Sequence, residues 1–204
     1  MGSTENKNIE ANHNNIINIL ILGNRYCGKT QFLNKYLNNE FNSEYNPTPY
    51  TNYYFTFFNF NDIQHKIQIW DISGNDKKKG KKSQTFANNS DGAIVLCDAS
   101  NNKTRLEYNI FLIIFFFSSV KWLEFYKEIC PNKPIILVEN KSDLIVDENN
   151  IYEFRKKEKF VSDYAKKIEF DDGVLCSSKN NFNVYKAMNC IINKIIKNKK
   201  NEIN

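Results

Sequence analysis

The sequence predicts an α/β fold: a central, mostly parallel six-stranded sheet with one antiparallel hairpin strand and helices on both faces. Three observations carry this. Short apolar runs of strand length alternate along the chain with longer segments whose apolar residues recur at helical spacing. The first such run feeds directly into a glycine-containing turn, and two further strand-like segments are separated only by the turn-prone Asn61-Asp62, which can close an antiparallel pair. At 204 residues the chain is long enough for one core of this kind and short for two domains.

Residues 1–14 are polar and Asn-rich and read as a disordered tail. Residues 15–197 read as the folded domain. Ile16 to Leu22 forms its first strand, and Gln31 to Leu37 continues the following turn as a helix. Thr51 to Phe60 and Ile63 to Trp70 form the hairpin. Ala93 to Asp98, Ile135 to Val138 and Val174 to Cys176 are near-continuous apolar runs, the pattern of parallel strands buried on both faces. Val120, Leu123 and Tyr126 lie on a helix expected to begin near Val120. Phe160, Val161, Tyr164 and Ile168 lie on a second, and Val184, Met188, Ile191, Ile192 and Ile195 on a third. These faces read as core. Residues 198–204 read as a basic, polar tail.

Four motifs follow strands in a fixed order. Gly23-Asn24-Arg25-Tyr26-Cys27-Gly28-Lys29-Thr30 matches G-x-x-x-x-G-K-[ST], a phosphate-binding loop. Its backbone N–H groups and a helix N-terminus cradle α- and β-phosphates, Lys29 reaches the β- and γ-phosphates, and the Thr30 hydroxyl is placed to ligate Mg²⁺. In Trp70-Asp71-Ile72-Ser73-Gly74, the Asp71 carboxylate can complete the Mg²⁺ shell through water, and the Gly74 N–H can meet a γ-phosphate oxygen. Asn140-Lys141-Ser142-Asp143 brings a carboxylate able to accept from both the ring N–H and the exocyclic amine of guanine, an edge adenine lacks. Ser177-Ser178-Lys179 offers backbone amides to a guanine carbonyl and a Lys stem to cover the base.

With these motifs the chain resembles the Ras superfamily of small GTPases, and within it the Rab branch, from about Ile16 to about Lys197. Lys66 to Asp71, Lys-Ile-Gln-Ile-Trp-Asp, is similar to the Rab strand entering switch II. The resemblance implies a P-loop G domain that binds GTP and GDP with Mg²⁺, hydrolyses GTP, and serves in vesicle trafficking. It makes Glu44-Tyr45-Asn46-Pro47-Thr48 switch I, with Tyr45 and Thr48 on the nucleotide, and places Phe41 against the guanine ring. Thr30, Thr48 and Asp71 become the metal residues, and Lys29, Thr48, Gly74 and Asn75 the catalytic set. Effectors, exchange factors and GTPase-activating proteins are the implied partners.

Several residues depart from that pattern. Asn75 stands where most members carry the Gln that orients the attacking water, and Arg25 and Tyr26 occupy positions usually held by small residues beside the γ-phosphate. Arg25 is open between a steric or neutral role and a cis arginine finger. The second functional reading is accordingly a GTP-binding scaffold with little hydrolysis. Switch II carries Lys77-Lys78-Lys79-Gly80-Lys81-Lys82 in place of the usual apolar effector surface. Arg105 to Phe117 is an apolar insertion, too short for the ~20 residues of a membrane span. It is open between a partner- or membrane-touching loop, a helix extension, and translated intron sequence.

The net charge of +5 is modest and concentrated in Lys77–Lys82 and Lys194–Lys200, so solvated charge is preferred to a nucleic-acid surface. Five scattered cysteines, without a C-x-x-C, suggest neither a disulfide framework nor a zinc site and favour a cytoplasmic location. No Cys near the final Asn201-Glu202-Ile203-Asn204 offers a prenylation site, and Met1-Gly2-Ser3-Thr4-Glu5-Asn6 has the Gly but lacks the Ser/Thr of a myristoylation pattern. Membrane contact is expected to be indirect or weak, by recruitment to endomembranes.

Overall fold

The computed structural model describes residues 15–44, 48, 50–73, 80–100, 113–147 and 150–203. In chain order the elements are β1 (Ile16–Gly23), α1 (Lys29–Asn38), β2 (Asn52–Phe60), β3 (Ile63–Asp71), α2 (Lys81–Asn88), β4 (Gly92–Asp98), α3 (Ile113–Ile129), β5 (Ile135–Asn140), α4 (Ile151–Lys167), β6 (Asp172–Leu175) and α5 (Val184–Ile203). The sheet runs β2-β3-β1-β4-β5-β6. Only β2 is antiparallel, pairing with β3 in a register that sets Thr56 opposite Ile67; every other neighbouring pair is parallel.

β1 shows why its sequence is almost continuously apolar. Ile17, Ile19 and Ile21 enter one core, where Phe32 and Leu33 of α1 and Met188, Ile191 and Ile195 of α5 close over the sheet. The alternate residues Leu20 and Leu22 enter the other, beneath Ala87 of α2 and Trp122, Leu123 and Tyr126 of α3. A strand with helices on both faces has no polar side to display. A smaller cluster of Ala99, Val146, Phe154, Val161 and Leu175 seats α4 at the sheet edge.

Four boundaries differ from expectation. α1 starts at Lys29, so the last two residues of the phosphate-loop motif are already helical. α3 starts at Ile113 rather than near Val120, since no Pro or Gly lies between 113 and 120 to stop the helix propagating toward the N-terminus. Residues 105–112 of the insertion lie outside the described residues. β6 is Asp172–Leu175 rather than Val174 to Cys176. α5 continues to Ile203 through most of the anticipated tail, with Lys199 donating to the Ile16 carbonyl at 2.8 Å and pairing with Asp91 at 3.0 Å, and Lys200 lying over the Phe60 ring.

Phe160, expected in the core, is 48 % exposed. The buried face of α4 runs through Phe154, Val161 and Ala165, and Phe160 is turned off it by one residue, about 100°, stacking instead on Tyr164 at 6.2 Å. All five cysteines are free. No described helix is long and apolar enough to cross a membrane. The 1–14 tail and Lys77 to Lys79 lie outside the described residues.

Candidate functional site

The site lies where β1, β3, β5 and β6 end, at the carboxyl edge of the sheet, the usual ligand crevice of open α/β sheets. β1 ends in Gly23, whose φ of 143° is open to glycine; a Cβ there would stand 2.4 Å from the Leu96 carbonyl oxygen. The chain then turns through Tyr26, with φ of 65°, and Gly28, with φ of 91°, before α1 begins. The N-terminal N–H groups of α1 have no intrahelical acceptor, which makes this end of the helix attractive to anions.

Lys29 is 7 % exposed and donates from Nζ to the carbonyls of Gly23 at 2.9 Å and Asn24 at 3.1 Å. Its charge is thereby held across the mouth of the loop. Thr30 Oγ1 donates to Asp71 Oδ2 at 2.6 Å and lies 2.8 Å from Thr48 Oγ1. Three oxygen-bearing side chains from distant parts of the sequence therefore meet at one point. Asp71 is fully buried, and its Oδ1 has no hydrogen-bond partner among the described residues. Burial raises its pKa, against the hydrogen bond from Thr30 and the charge of Lys29, which lower it. A buried carboxylate with one open oxygen beside two hydroxyls fits Mg²⁺, which takes hard oxygen ligands and retains waters.

The opposite end is organised by Asn140. Its Nδ2 donates to the Cys27 carbonyl at 3.1 Å, and its Oδ1 accepts from the Ser178 backbone N–H at 3.0 Å and the Ser178 hydroxyl at 2.9 Å. Gly28 fits beneath it: a Cβ at that position would lie 2.5 Å from Asn140 Nδ2. Asp143 Oδ1 accepts from Ser177 Oγ at 2.6 Å. Lys141, with φ of 67°, pairs through Nζ with Asp98 at 2.7 Å. Burial alone would raise the Asp98 pKa, but hydrogen bonds from Lys141 and Ser100 outweigh it and hold the carboxyl below its ordinary value.

These two ends share a cleft of about 400 Å³. Of the residues expected in the site, Arg25, Tyr26, Gly28, Lys29, Thr30, Phe41, Thr48, Asn140, Lys141, Asp143, Ser178 and Lys179 line it. Gly23, Asn24, Cys27, Asp71 and Ser177 do not. They act from behind the wall: Gly23 and Asn24 through carbonyls that hold Lys29, Cys27 through the carbonyl that receives Asn140, Asp71 on Thr30, and Ser177 on Asp143. The Cys27 thiol points into the core, and burial raises its pKa. Tyr45, Gly74 and Asn75 lie outside the described residues.

Sequence reasoning missed several members of this site. Gln31 and Ser73 line the cleft, and Gln31 Oε1 accepts from the Asn42 backbone N–H at 2.9 Å. Asp98 had a signal, being a carboxylate at the carboxyl end of a buried strand, in register with Asn140. Trp122, whose indole N–H donates to Asn24 Oδ1 at 3.0 Å, had none: it lies 98 residues away within an apolar helical pattern.

Residues 18–143 match the family described as Roc, the Ras of Complex domain of DAPkinase. Curated relatives include the "GTP-binding RHO-like protein" of Candida albicans (strain WO-1), 29 % identical over 193 residues, which are 94 % of this chain and 49 % of that protein. The "Rho-related GTP-binding protein RhoB" of Homo sapiens is 30 % identical over 131 residues, 64 % of this chain and 61 % of that protein. The "GTP-binding protein rho3" of Schizosaccharomyces pombe is 28 % identical over 165 residues, 80 % of this chain and 69 % of that protein. The chain thus spans about half the length of the first relative and about three-fifths of the second. These relatives carry Rho-type names, so the Rab-like branch expected from Lys66 to Asp71 is without support from them.

Proposed function

This chain belongs to the Roc family of Ras-like domains within the Ras superfamily of small GTPases, and on that premise we propose that it is a guanine-nucleotide switch that binds GTP and GDP with Mg²⁺. The observation that supports this best is Asn140. One amide ties the phosphate loop, through the Cys27 carbonyl, to the loop carrying Ser178, while Asp143 stands three residues away on the cleft wall. A site for phosphate alone would not require that link. A site that must bind phosphate and base together does.

In this reading Lys29 neutralises charge on the terminal phosphates, and Asp143 accepts from the guanine edge while Ser177 holds its other oxygen. Phe41 and the Lys141 and Lys179 stems enclose the base. Mg²⁺, when bound, screens the phosphate oxygens, with Thr30, Thr48 and Asp71 to hold it. Thr48 closing on the nucleotide is the step that partners would read as the GTP state. In sequence, Asn75 follows Gly74 where the resemblance expects the water-orienting Gln, and this supports a reading of slow hydrolysis. The trafficking role rests on the Rab-like wording of β3 alone and is set aside, leaving effectors and regulators identified only as proteins that distinguish the two nucleotide states.

A second reading, a GTP-binding scaffold with little hydrolysis, is favoured by Arg25 and Tyr26, both exposed residues of the Gly23–Thr30 loop that line the cleft. Nucleotide extracted from the purified protein, followed by displacement of a fluorescent GDP, tests the common part of both readings. GTP and GDP should displace it and ATP should not. Equal competition by ATP would overturn the assignment, and single-turnover hydrolysis separates the two readings.

A further inference from the structure

We infer that Trp122 and Asn24 form a positioning pair that fixes the phosphate loop from α3 and thereby sets how long nucleotide is retained; this rests on the guanine-nucleotide reading above. Trp122 is 2 % exposed and packed edge-on to Phe125 at 5.9 Å, in the same cluster as Leu22, the residue immediately before the loop. Its indole N–H donates to Asn24 Oδ1 at 3.0 Å. Asn24 is exposed, on a turn with no strand or helix of its own, and its backbone carbonyl is one of the two that hold Lys29 Nζ. A rigid, buried ring thus grips the side chain of the residue whose main chain aims the phosphate-binding ammonium.

The physical reasoning has two parts. A buried indole N–H without an acceptor costs about 1–3 kcal/mol, so Trp122 has a strong preference for Asn24 in this one position. A loop residue fixed by its side chain gives up conformational freedom before the ligand arrives, which reduces the ordering cost of binding. Asn24 therefore contributes to nucleotide retention without touching the cleft, and any displacement of α3 reaches the phosphates through it. Neither side chain lines the cleft, so the pair positions and does not catalyse.

The test is a double-mutant cycle on the dissociation rate of fluorescent GDP, using Trp122→Phe, Asn24→Ala and the double substitution in the full chain. Each single substitution should speed release about fivefold to tenfold, the scale of one lost, partly buried hydrogen bond. The double should be no faster than the more affected single, since the second substitution removes a partner already lost. Asn24→Ala alters an exposed side chain, so its release rate alone still tests the inference where Trp122→Phe weakens the core. A second readout uses the fact that the chain has two tryptophans. In a Trp70→Phe background, Trp122 emission should shift when nucleotide is stripped, and Asn24→Ala should abolish the shift. Rates that multiply in the double variant, unchanged release in both singles, or an emission shift indifferent to Asn24 would each overturn the inference while leaving the nucleotide assignment standing. A wild-type chain that retained no guanine nucleotide would overturn both.

Discussion

Replacing Asp71 by Asn should stabilise the empty protein and cripple the loaded one. Asp71 is fully buried at the end of β3, with Thr30 donating to one oxygen and no partner among the described residues for the other. A neutral amide keeps the Thr30 hydrogen bond through its oxygen and relieves the desolvation of the anion. An uncompensated buried polar group costs about 1–3 kcal/mol and a charged one more, so Asp71→Asn should gain about 1–2 kcal/mol without nucleotide. For a domain of this size that is about 2–8 °C in melting temperature. Wild type with Mg²⁺·GDP at a hundredfold excess over Kd should gain about 2.7 kcal/mol, and the Asn variant much less, because it lacks the carboxylate proposed to hold the metal.

The sign of the pH dependence follows from the raised pKa of Asp71. The folded, empty protein takes up this proton at higher pH than the unfolded chain does. The stability it contributes is present below the unfolded pKa and is lost as pH rises through the folded one. The advantage of Asn over Asp should therefore shrink as pH falls through the window between the ordinary and the raised values, while wild-type Mg²⁺ binding weakens over the same window. Differential scanning fluorimetry across pH, with and without Mg²⁺·GDP, measures both trends. An empty Asp71→Asn protein that melts below wild type, or one that keeps the full Mg²⁺-dependent stabilisation, would refute the reasoning.

Three further outcomes are expected. Asp143→Asn should shift preference toward xanthine nucleotides: Ser177 can still donate to the amide oxygen, leaving the NH₂ to donate to the xanthine carbonyl, and competition between GDP and XDP reads the change. Intrinsic hydrolysis should be no faster than the ~10⁻⁴ per second scale of unassisted Ras-type proteins, and Asn75→Gln with Arg25→Gly should raise it in single-turnover assays. A wild-type turnover near one per minute would instead favour Arg25 as a cis finger. Deleting 105–117 shortens α3 at its N-terminal end but keeps Trp122 and its bond to Asn24, so nucleotide affinity by fluorescence titration should be unchanged and solubility improved; loss of nucleotide binding would place Ile113 to Phe117 in the working structure.

What the sequence revealed and what it hid divide along physical lines. Local patterns were legible: β1, β4 and β5 are apolar because both faces are covered, and the motifs singled out by their spacing are contiguous residues that the fold brings to one cleft. Helix ends were less so. α3 starts seven residues early and α5 overruns the supposed tail because nothing in either sequence stops a helix, and the contacts of Lys199 with Ile16 and Asp91 cannot be seen along the chain. Phe160 illustrates a limit of periodicity, since one residue of helix turns a side chain by about 100° and carries it out of the core. Hardest to read were supports behind the wall, such as Trp122 on Asn24 and Asp98 on Lys141, which are pairings of distant residues with no shared local pattern.

Under the proposed guanine-nucleotide function, the Asn140 amide has a consequence for how base preference could change. Because one side chain bonds the Cys27 carbonyl and Ser178 at once, and packs so closely on Gly28 that a Cβ there would stand 2.5 Å from its Nδ2, a change at position 140 would break the tie between the Gly23–Thr30 loop and the loop carrying Ser178. Asp143 carries no such second duty to the phosphate loop. Drift or redesign of base preference is therefore channelled to a single carboxylate, and a descendant with a new nucleotide should differ at 143 while 140 and 28 stay as they are.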